Sequence, residues 1–234
     1  MVKVCTFSEL LPTAPTARFA PYSAARASPQ FTADRYLMMP QAPPATYPEA
    51  YRFNVTAYRQ LAEAGILEFD LRMELIRGTI LEMSPIGTKH QACLARLTQT
   101  FVKALSNRAI VWPQNAIELD DRSQPQPDLV LLKPRDDFYR DRYPRPGDVL
   151  LVVEVADSTV QFDRDVKGPL YALAGLVEMW LVDLTRSCVE IYRDPSTAGY
   201  QTKQTLQAGD TLTPLAFPNC QLLAAEVVLA SLES

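Results

Sequence analysis

Between Val55 and Ala64 the apolar side chains gather on one face of a 3.6-residue period, with Asn54 or Thr56 placed to cap the start and Gly65 to stop it. That pattern predicts a short amphipathic helix. Arg72–Ile76 and Thr79–Met83 read as strands joined by Arg77-Gly78, a two-residue turn in which Gly tolerates positive φ. From Thr88 to Leu105 the residues Leu94, Leu97, Phe101, Val102 and Leu105 recur at helical spacing, which predicts a long helix packed on a sheet and ended at Asn107. Short strands are expected around Ile110 and Ile117. A strand Asp128–Leu132, a loop Lys133–Gly147 and a strongly apolar strand Asp148–Val155 follow.

A helix within Asp163–Ala174, closed by Gly175, leads into a strand Glu178–Leu184, and a strand-helix-strand unit of this length pairs its strands in parallel. Cys188–Arg193 and Tyr200–Leu206 then form an antiparallel hairpin around the turn-rich loop Asp194–Gly199, and a terminal helix begins near Ala224. The expected class is α/β: a mixed sheet flanked by helices, with a C-terminal antiparallel hairpin. Residues 1–50 differ, holding eight of the 19 prolines without a sustained period. They read as a disordered N-terminal extension, or as a mis-assigned start upstream of Met38 or Met39, ahead of one folded domain over 51–234.

Composition narrows the chemistry. The chain has 234 residues, 47% of them hydrophobic, enough for one good core in one domain. A net charge of -4 has the wrong sign for coating nucleic acid non-specifically. The single histidine, His90, excludes zinc sites that need two, and forces any Ser/His/Asp or Cys/His arrangement onto that one ring. Cys5, Cys93, Cys188 and Cys220 lie far apart, as reduced thiols of a cytoplasmic protein would. The longest strictly aliphatic run in the core, Val149–Val153, falls well below the ~18 residues of a membrane helix, and residues 1–20 hold no apolar signal-peptide core.

The informative residues are the misplaced carboxylates. Glu154 sits within Leu150-Leu151-Val152-Val153-Glu154-Val155, a run apolar enough to be buried on both faces, where an unpaired ionised carboxylate is costly. Asp128 opens the preceding strand. If the two strands pair antiparallel about a loop centred near Arg140, the start of one meets the end of the other and Asp128 lies beside Glu154. Two acids in one corner repel unless a cation sits between them, and oxygen ligands completed by water suit Mg²⁺, with Mn²⁺ as substitute. The alternative is that each carboxylate bonds a lysine, an arginine or a backbone N–H.

Asp163 and Lys167 stand four apart just after the Glu154 strand. They can share a face directed at that corner, where the lysine could contact a phosphate and orient or deprotonate a water, or they form a simple surface pair. Glu74 could complete a metal shell or be an edge-strand charge. His90, near a helix start, could donate to a phosphate or be an ordinary polar residue. The loop Lys133–Pro146 mixes five cations with Phe138, Tyr139 and Tyr143 against three acids, which reads as a nucleic-acid contact or a solvated loop. Tyr171, Trp180 and Tyr192 read as core or sheet-surface aromatics.

The order and spacing of several stretches resemble the Uma-type restriction endonuclease family of the PD-(D/E)XK nuclease superfamily, over about Tyr51–Val228. They are Glu74-Leu75-Ile76-Arg77-Gly78 with Met83-Ser84-Pro85, Gly87-x-x-His90, Pro127-Asp128, Leu151–Val155 followed by Asp157-Ser158, Asp163-x-x-x-Lys167, Leu170-Tyr171-Ala172, and Glu178-x-Trp180 with Asp183. The resemblance implies a restriction-endonuclease-like fold in which Asp128 and Glu154 hold a divalent metal, Lys167 is the active-site lysine and Glu74 assists. His90 and Asp163 would stand behind them. Ala156 occupies the lysine position of the superfamily's E-x-K pattern, so Lys167 looks like the substitute. The expected activity is metal-dependent hydrolysis of phosphodiester bonds, as a DNA endonuclease, and a homodimer is compatible with it because cutting two strands needs two sites. The competing class is a non-catalytic nucleic-acid-binding or protein-interaction module that retains the nuclease fold.

Overall fold

A computed structural model describes residues 50–67 and 72–228. The expected N-terminal extension and Cys5 lie outside the described residues. Helix α1 (Val55–Glu63) starts where Asn54 Oδ1 accepts the Ala57 N–H at 2.8 Å, and gives way to Gly65 at a φ of 68°. Strands β1 (Met73–Ile76) and β2 (Thr79–Glu82) form a hairpin of their own. Both residues of its turn have positive φ, Arg77 at 49° and Gly78 at 77°. Gly78 is required twice over, because a Cβ there would come within 2.8 Å of the Arg52 Cβ.

Helix α2 (Thr88–Leu105) buries His90, Cys93, Leu94, Leu97, Phe101 and Leu105 along one stripe. Val102 is the exception to the predicted core, 53% exposed, because one step beyond Phe101 turns it about 100° off that stripe. The helix ends at Ser106, whose φ of 50° breaks the winding one residue before Asn107. Strand β3 (Ile110–Pro113) follows. Ile117, expected in a strand, lies in an irregular stretch; it is fully buried and its N–H bonds the Pro125 carbonyl at 3.0 Å. Pro125 and Pro127 nearby lack the donors that a ladder needs.

The main sheet has six strands in the order β3-β4-β5-β6-β7-β8, where β4 is Leu129–Leu132, β5 Val149–Ala156, β6 Glu178–Asp183, β7 Cys188–Ser196 and β8 Gly199–Leu206. Only β5 and β6 run parallel, as their helical crossover predicts. The crossover is more broken than expected: α3 (Val160–Phe162), a π-wound segment Asp163–Lys167, and α4 (Gly168–Leu173). The C-terminal hairpin is tighter than predicted, because Pro195 pairs with Tyr200 inside the ladder and leaves only Thr197-Ala198 as the turn. Pairing with β6 has already stopped at Arg193, so the missing proline N–H interrupts nothing on that side. Short strands β9 (Thr211–Leu212) and β10 (Leu222–Leu223) and helix α5 (Ala224–Val228) close the described chain.

Alternation splits the core between the two faces of the sheet. Leu151, Val153 and Val155 pack with α2 and α5, whereas Val152 and Ala156 pack with Leu170 and Tyr171 of α4. Glu154 therefore belongs to the α4 face. The antiparallel register Leu129↔Val153 sets Asp128 beside Glu154 at one end of the sheet. Cys93, Cys188 and Cys220 are buried free thiols, and no described helix is long and apolar enough to cross a membrane.

On β7, Glu190 is buried and accepts from Arg164 twice at 3.0 Å, from Tyr192 and from Lys203. Burial raises its proton affinity, but the Arg164, Tyr192 and Lys203 donors outweigh it and hold the carboxyl down at about 2. A depressed folded pKa stabilises above the unfolded value and is lost as pH falls through the folded one. Glu190→Gln is accordingly less stable than wild type at pH 7, and the gap closes as pH falls below the ordinary glutamate range toward about 2, as urea unfolding at a series of pH values reads out.

Candidate active site

A cavity of about 200 Å³ opens at the Asp128 end of β4 and β5. The hairpin, the start of α2 and the residues after β5 wall it, and the carboxylates singled out in the sequence converge there. Glu154 is 2% exposed, and its Oε1 accepts from Lys167 Nζ at 3.2 Å and from the Tyr171 hydroxyl. Lys167 Nζ also donates to Glu74 Oε1 at 3.1 Å and stands 3.9 Å from Asp163 Oδ1. Asp163 accepts from Thr159 Oγ1 at 2.7 Å. On the neighbouring strand, Asp128 Oδ2 accepts the Val155 N–H at 2.9 Å and lies 3.0 Å from His90 Nε2.

The π-winding explains how the lysine reaches the strand. The Gly168 N–H bonds the Asp163 carbonyl five residues back, and Pro169 has no N–H with which to continue an ordinary α-helical ladder. Gly168-Pro169 thus widens one turn, and Lys167 at its end is buried to 2% exposure.

The electrostatics of this cluster are set by burial and by the count of acids around one ammonium. Desolvation and the neighbouring Asp163, Asp128 and Glu74 charges push Glu154 well above the usual carboxylate range, against the pull of Lys167. Asp163 is raised to about 6, mainly by burial and against the pull of Lys167 and the Thr159 hydrogen bond. For Lys167 burial favours the neutral amine, yet Glu154, Glu74 and Asp163 together override it and hold the ammonium. The side chain is therefore a donor locked between carboxylates.

All six residues expected to form the site come together. Each of the two strand-end carboxylates has one oxygen engaged by protein donors, Oδ2 of Asp128 and Oε1 of Glu154. Among the described residues their other oxygens, Asp128 Oδ1 and Glu154 Oε2, accept no hydrogen bond, and neither is sealed from solvent. Glu74 Oε2 and His90 Nδ1 are buried without a partner. No group of three or more His, Cys, Asp or Glu among the described residues is arranged to hold a metal ion. The donors present are two carboxylate oxygens from two residues, a set that fits a hard, oxygen-seeking cation only with water or substrate filling the remaining positions.

Sequence reasoning missed Tyr171 and Arg72. Tyr171 reads as a core aromatic, and its ring is indeed fully buried; the usable signal was its position four residues after Lys167, on the same helical face. Arg72 lines the cavity mouth at the foot of the hairpin. The Lys133–Pro146 loop behaves as a solvated segment, with its cations engaged by acids: Arg135 bonds Asp137, Arg140 bonds Asp141, and Arg142 bonds Asp148.

Comparison with known proteins agrees with this geometry. A family model, Uma2, described as "Putative restriction endonuclease", matches residues 55–226. Among solved structures, the chain is similar to a putative nuclease belonging to DUF820 from Anabaena variabilis, with a TM-score of 0.57 and 17% identity, covering 72% of this chain and 97% of that one. No curated protein matches. The chain belongs to the Uma2 family.

Removing the ammonium leaves Glu74 and Glu154 facing each other in a buried site. Lys167→Met should cost about 3–5 kcal/mol, the usual penalty for stripping one partner from a buried ion pair. Urea unfolding followed by tryptophan fluorescence measures it, and a loss within ordinary surface-substitution range would mean that the carboxylates are protonated in the fold.

Proposed function

We propose that this Uma2-family protein is a nuclease that hydrolyses phosphodiester bonds of DNA with the help of a divalent metal, Mg²⁺ with Mn²⁺ as substitute. Family membership supports the nuclease role. The observation that carries the metal assignment is that Asp128 and Glu154 stand at adjacent strand ends, each with one oxygen pinned by protein donors and the other, Asp128 Oδ1 and Glu154 Oε2, without a hydrogen bond among the described residues. These two oxygens would hold the ion. When bound, such an ion polarises phosphate oxygens and lowers the pKa of water in its shell.

The chain's own groups have separate tasks. Lys167, held as an ammonium, anchors Glu154 and lends positive potential to a site otherwise rich in carboxylates. Tyr171 donates to the same Glu154 oxygen and fixes which face of that carboxylate meets the cavity. The Val155 N–H and His90 perform the equivalent orientation for Asp128. Glu74 holds the lysine from the hairpin side, and Asp163 from its own turn. Burial keeps this frame rigid.

The test needs no substrate sequence. Asp128→Asn and Glu154→Gln each keep the shape of the side chain and remove the charge, so each should weaken Mn²⁺ binding by at least about tenfold, or 1.4 kcal/mol, in calorimetric titration. Both should abolish Mg²⁺-dependent nicking of supercoiled plasmid. Wild-type Mn²⁺ affinity should fall as pH is lowered, because protons compete for a carboxyl whose proton affinity burial has raised. Wild type that nicks DNA equally well in EDTA would overturn the metal assignment.

Tyr171→Phe gives a second check on the same frame. It removes one donor from Glu154 Oε1 without opening a cavity, so Mn²⁺ affinity should drop by a smaller factor than in Glu154→Gln. Unchanged affinity in Tyr171→Phe would assign the hydroxyl to packing alone.

A further inference from the structure

We propose that Arg72 is the phosphate clamp of this cavity, the side chain that receives the non-bridging oxygens of the substrate anion. The assignment rests on the phosphodiesterase reading above and goes beyond it by giving a substrate contact to a residue outside the carboxylate frame.

The argument begins with what the cavity must overcome. Five carboxylates line it, from Glu74, Asp128, Glu154, Asp157 and Asp163, against two permanently charged cations, Lys167 and Arg72. An entering phosphodiester anion meets a field of its own sign, and one divalent ion offsets only part of that excess. A cation with donors to spare is needed, and Lys167 is not that cation. Its Nζ is committed to Glu74 and Glu154 and its side chain is only 3% exposed, so it contributes potential without reaching into the opening.

Arg72 has what Lys167 lacks. Its side chain is 29% exposed, and among the described residues its guanidinium makes no hydrogen bond. Among the described residues its shortest approach to a carboxylate is 3.9 Å, from Nη2 to Asp128 Oδ1, beyond hydrogen-bond reach. The arginines half-buried elsewhere are spent: Arg164 on Glu190, Arg193 on Glu178, Arg59 on Glu118 and Gln124. Arg72 is also well anchored, because its carbonyl accepts the Met83 N–H at 2.8 Å and ties it to the foot of the hairpin. A half-buried guanidinium with no hydrogen bond among the described residues, 3.9 Å from Asp128 Oδ1, matches two phosphate oxygens with a planar fork of donors.

The competing explanation is that Arg72 only offsets the charge of Asp128. The two make opposite predictions. Binding of inorganic phosphate to the whole protein, with Mn²⁺ present, is titrated by calorimetry for wild type, Arg72→Ala, Arg72→Lys and Arg140→Ala, alongside Mn²⁺ binding in phosphate-free buffer and plasmid nicking. As a clamp, Arg72→Ala loses at least tenfold in phosphate affinity and a hundredfold in nicking rate. It binds Mn²⁺ as tightly as wild type or more tightly, since a cation beside Asp128 has gone. Arg72→Lys falls between, restoring the charge without the fork. Arg140→Ala, which removes a cation outside this cavity, binds phosphate as tightly as wild type, which ties the effect to the Arg72 guanidinium and not to the loss of any positive charge.

Equal phosphate affinity in wild type and Arg72→Ala overturns the clamp, as does a loss of Mn²⁺ affinity that accounts for the whole loss of rate. Phosphate binding that depends on Arg72 in a wild-type protein that cleaves no DNA keeps the clamp and defeats the phosphodiesterase reading instead. Far-UV circular dichroism of Arg72→Ala should superpose on wild type, because the side chain makes no hydrogen bond to the described residues.

Discussion

The buried ammonium of Lys167 is the point on which the site's architecture turns. It joins three pieces of chain that sequence separates widely: Glu74 from the hairpin, Glu154 from the central strand β5, and Asp163 from its own π-wound turn. Without it, two carboxylates with almost no exposure would face each other in a medium that solvates neither, and one would take up a proton. With it, the cluster still carries excess negative charge, which is why burial and the acids together lift Glu154 and Asp163 above their ordinary ranges. The frame is thus held together by its ion pairs while still carrying an excess of negative charge at one corner of the sheet.

Much of this arrangement was legible in the chain. The β4–β5 pairing, and with it the meeting of Asp128 and Glu154, follows from two apolar runs and the length of the loop between them, because antiparallel pairing about a known centre leaves little freedom. The hairpin turn at Arg77-Gly78 is equally local in origin. What could not be read is what depends on tertiary contact. Tyr171 satisfies the apolar pattern of α4 through its ring, and only its hydroxyl reveals a polar task. Arg72 stands at the foot of a strand where a charge has no pattern to violate. Ile117 has the composition of a strand residue, but prolines nearby withhold the donors that a ladder would use.

The similar structure from Anabaena variabilis is only 17% identical, so it speaks for the fold and leaves the chemistry to be argued from the residues in place. Here the two levels of evidence are independent. Register and alternation set the carboxylates at one corner whatever the family, and the family match spans both strands and the crossover that supplies the lysine.

Lys167 shows how an ammonium can reach a strand carboxylate by way of the crossover instead of the strand itself. In a strand, residues two apart project to the same face, so a lysine at position 156 would stand beside Glu154 without help from any helix. Ala156 sits there instead, fully buried among the side chains that pack against Tyr171. A long charged side chain in that slot would have to displace the α4 packing. The π-wound segment offers another route: one widened turn, closed by the Gly168 N–H on the Asp163 carbonyl, delivers Lys167 to Glu154 from the side and leaves the strand apolar. Because the ammonium arrives from the crossover, it can engage Glu74 across the cavity as well, a contact that ties the hairpin to the sheet. An ammonium supplied by the crossover therefore does more than place a charge, since it ties the hairpin, whose foot carries Arg72, to the wall of the cavity.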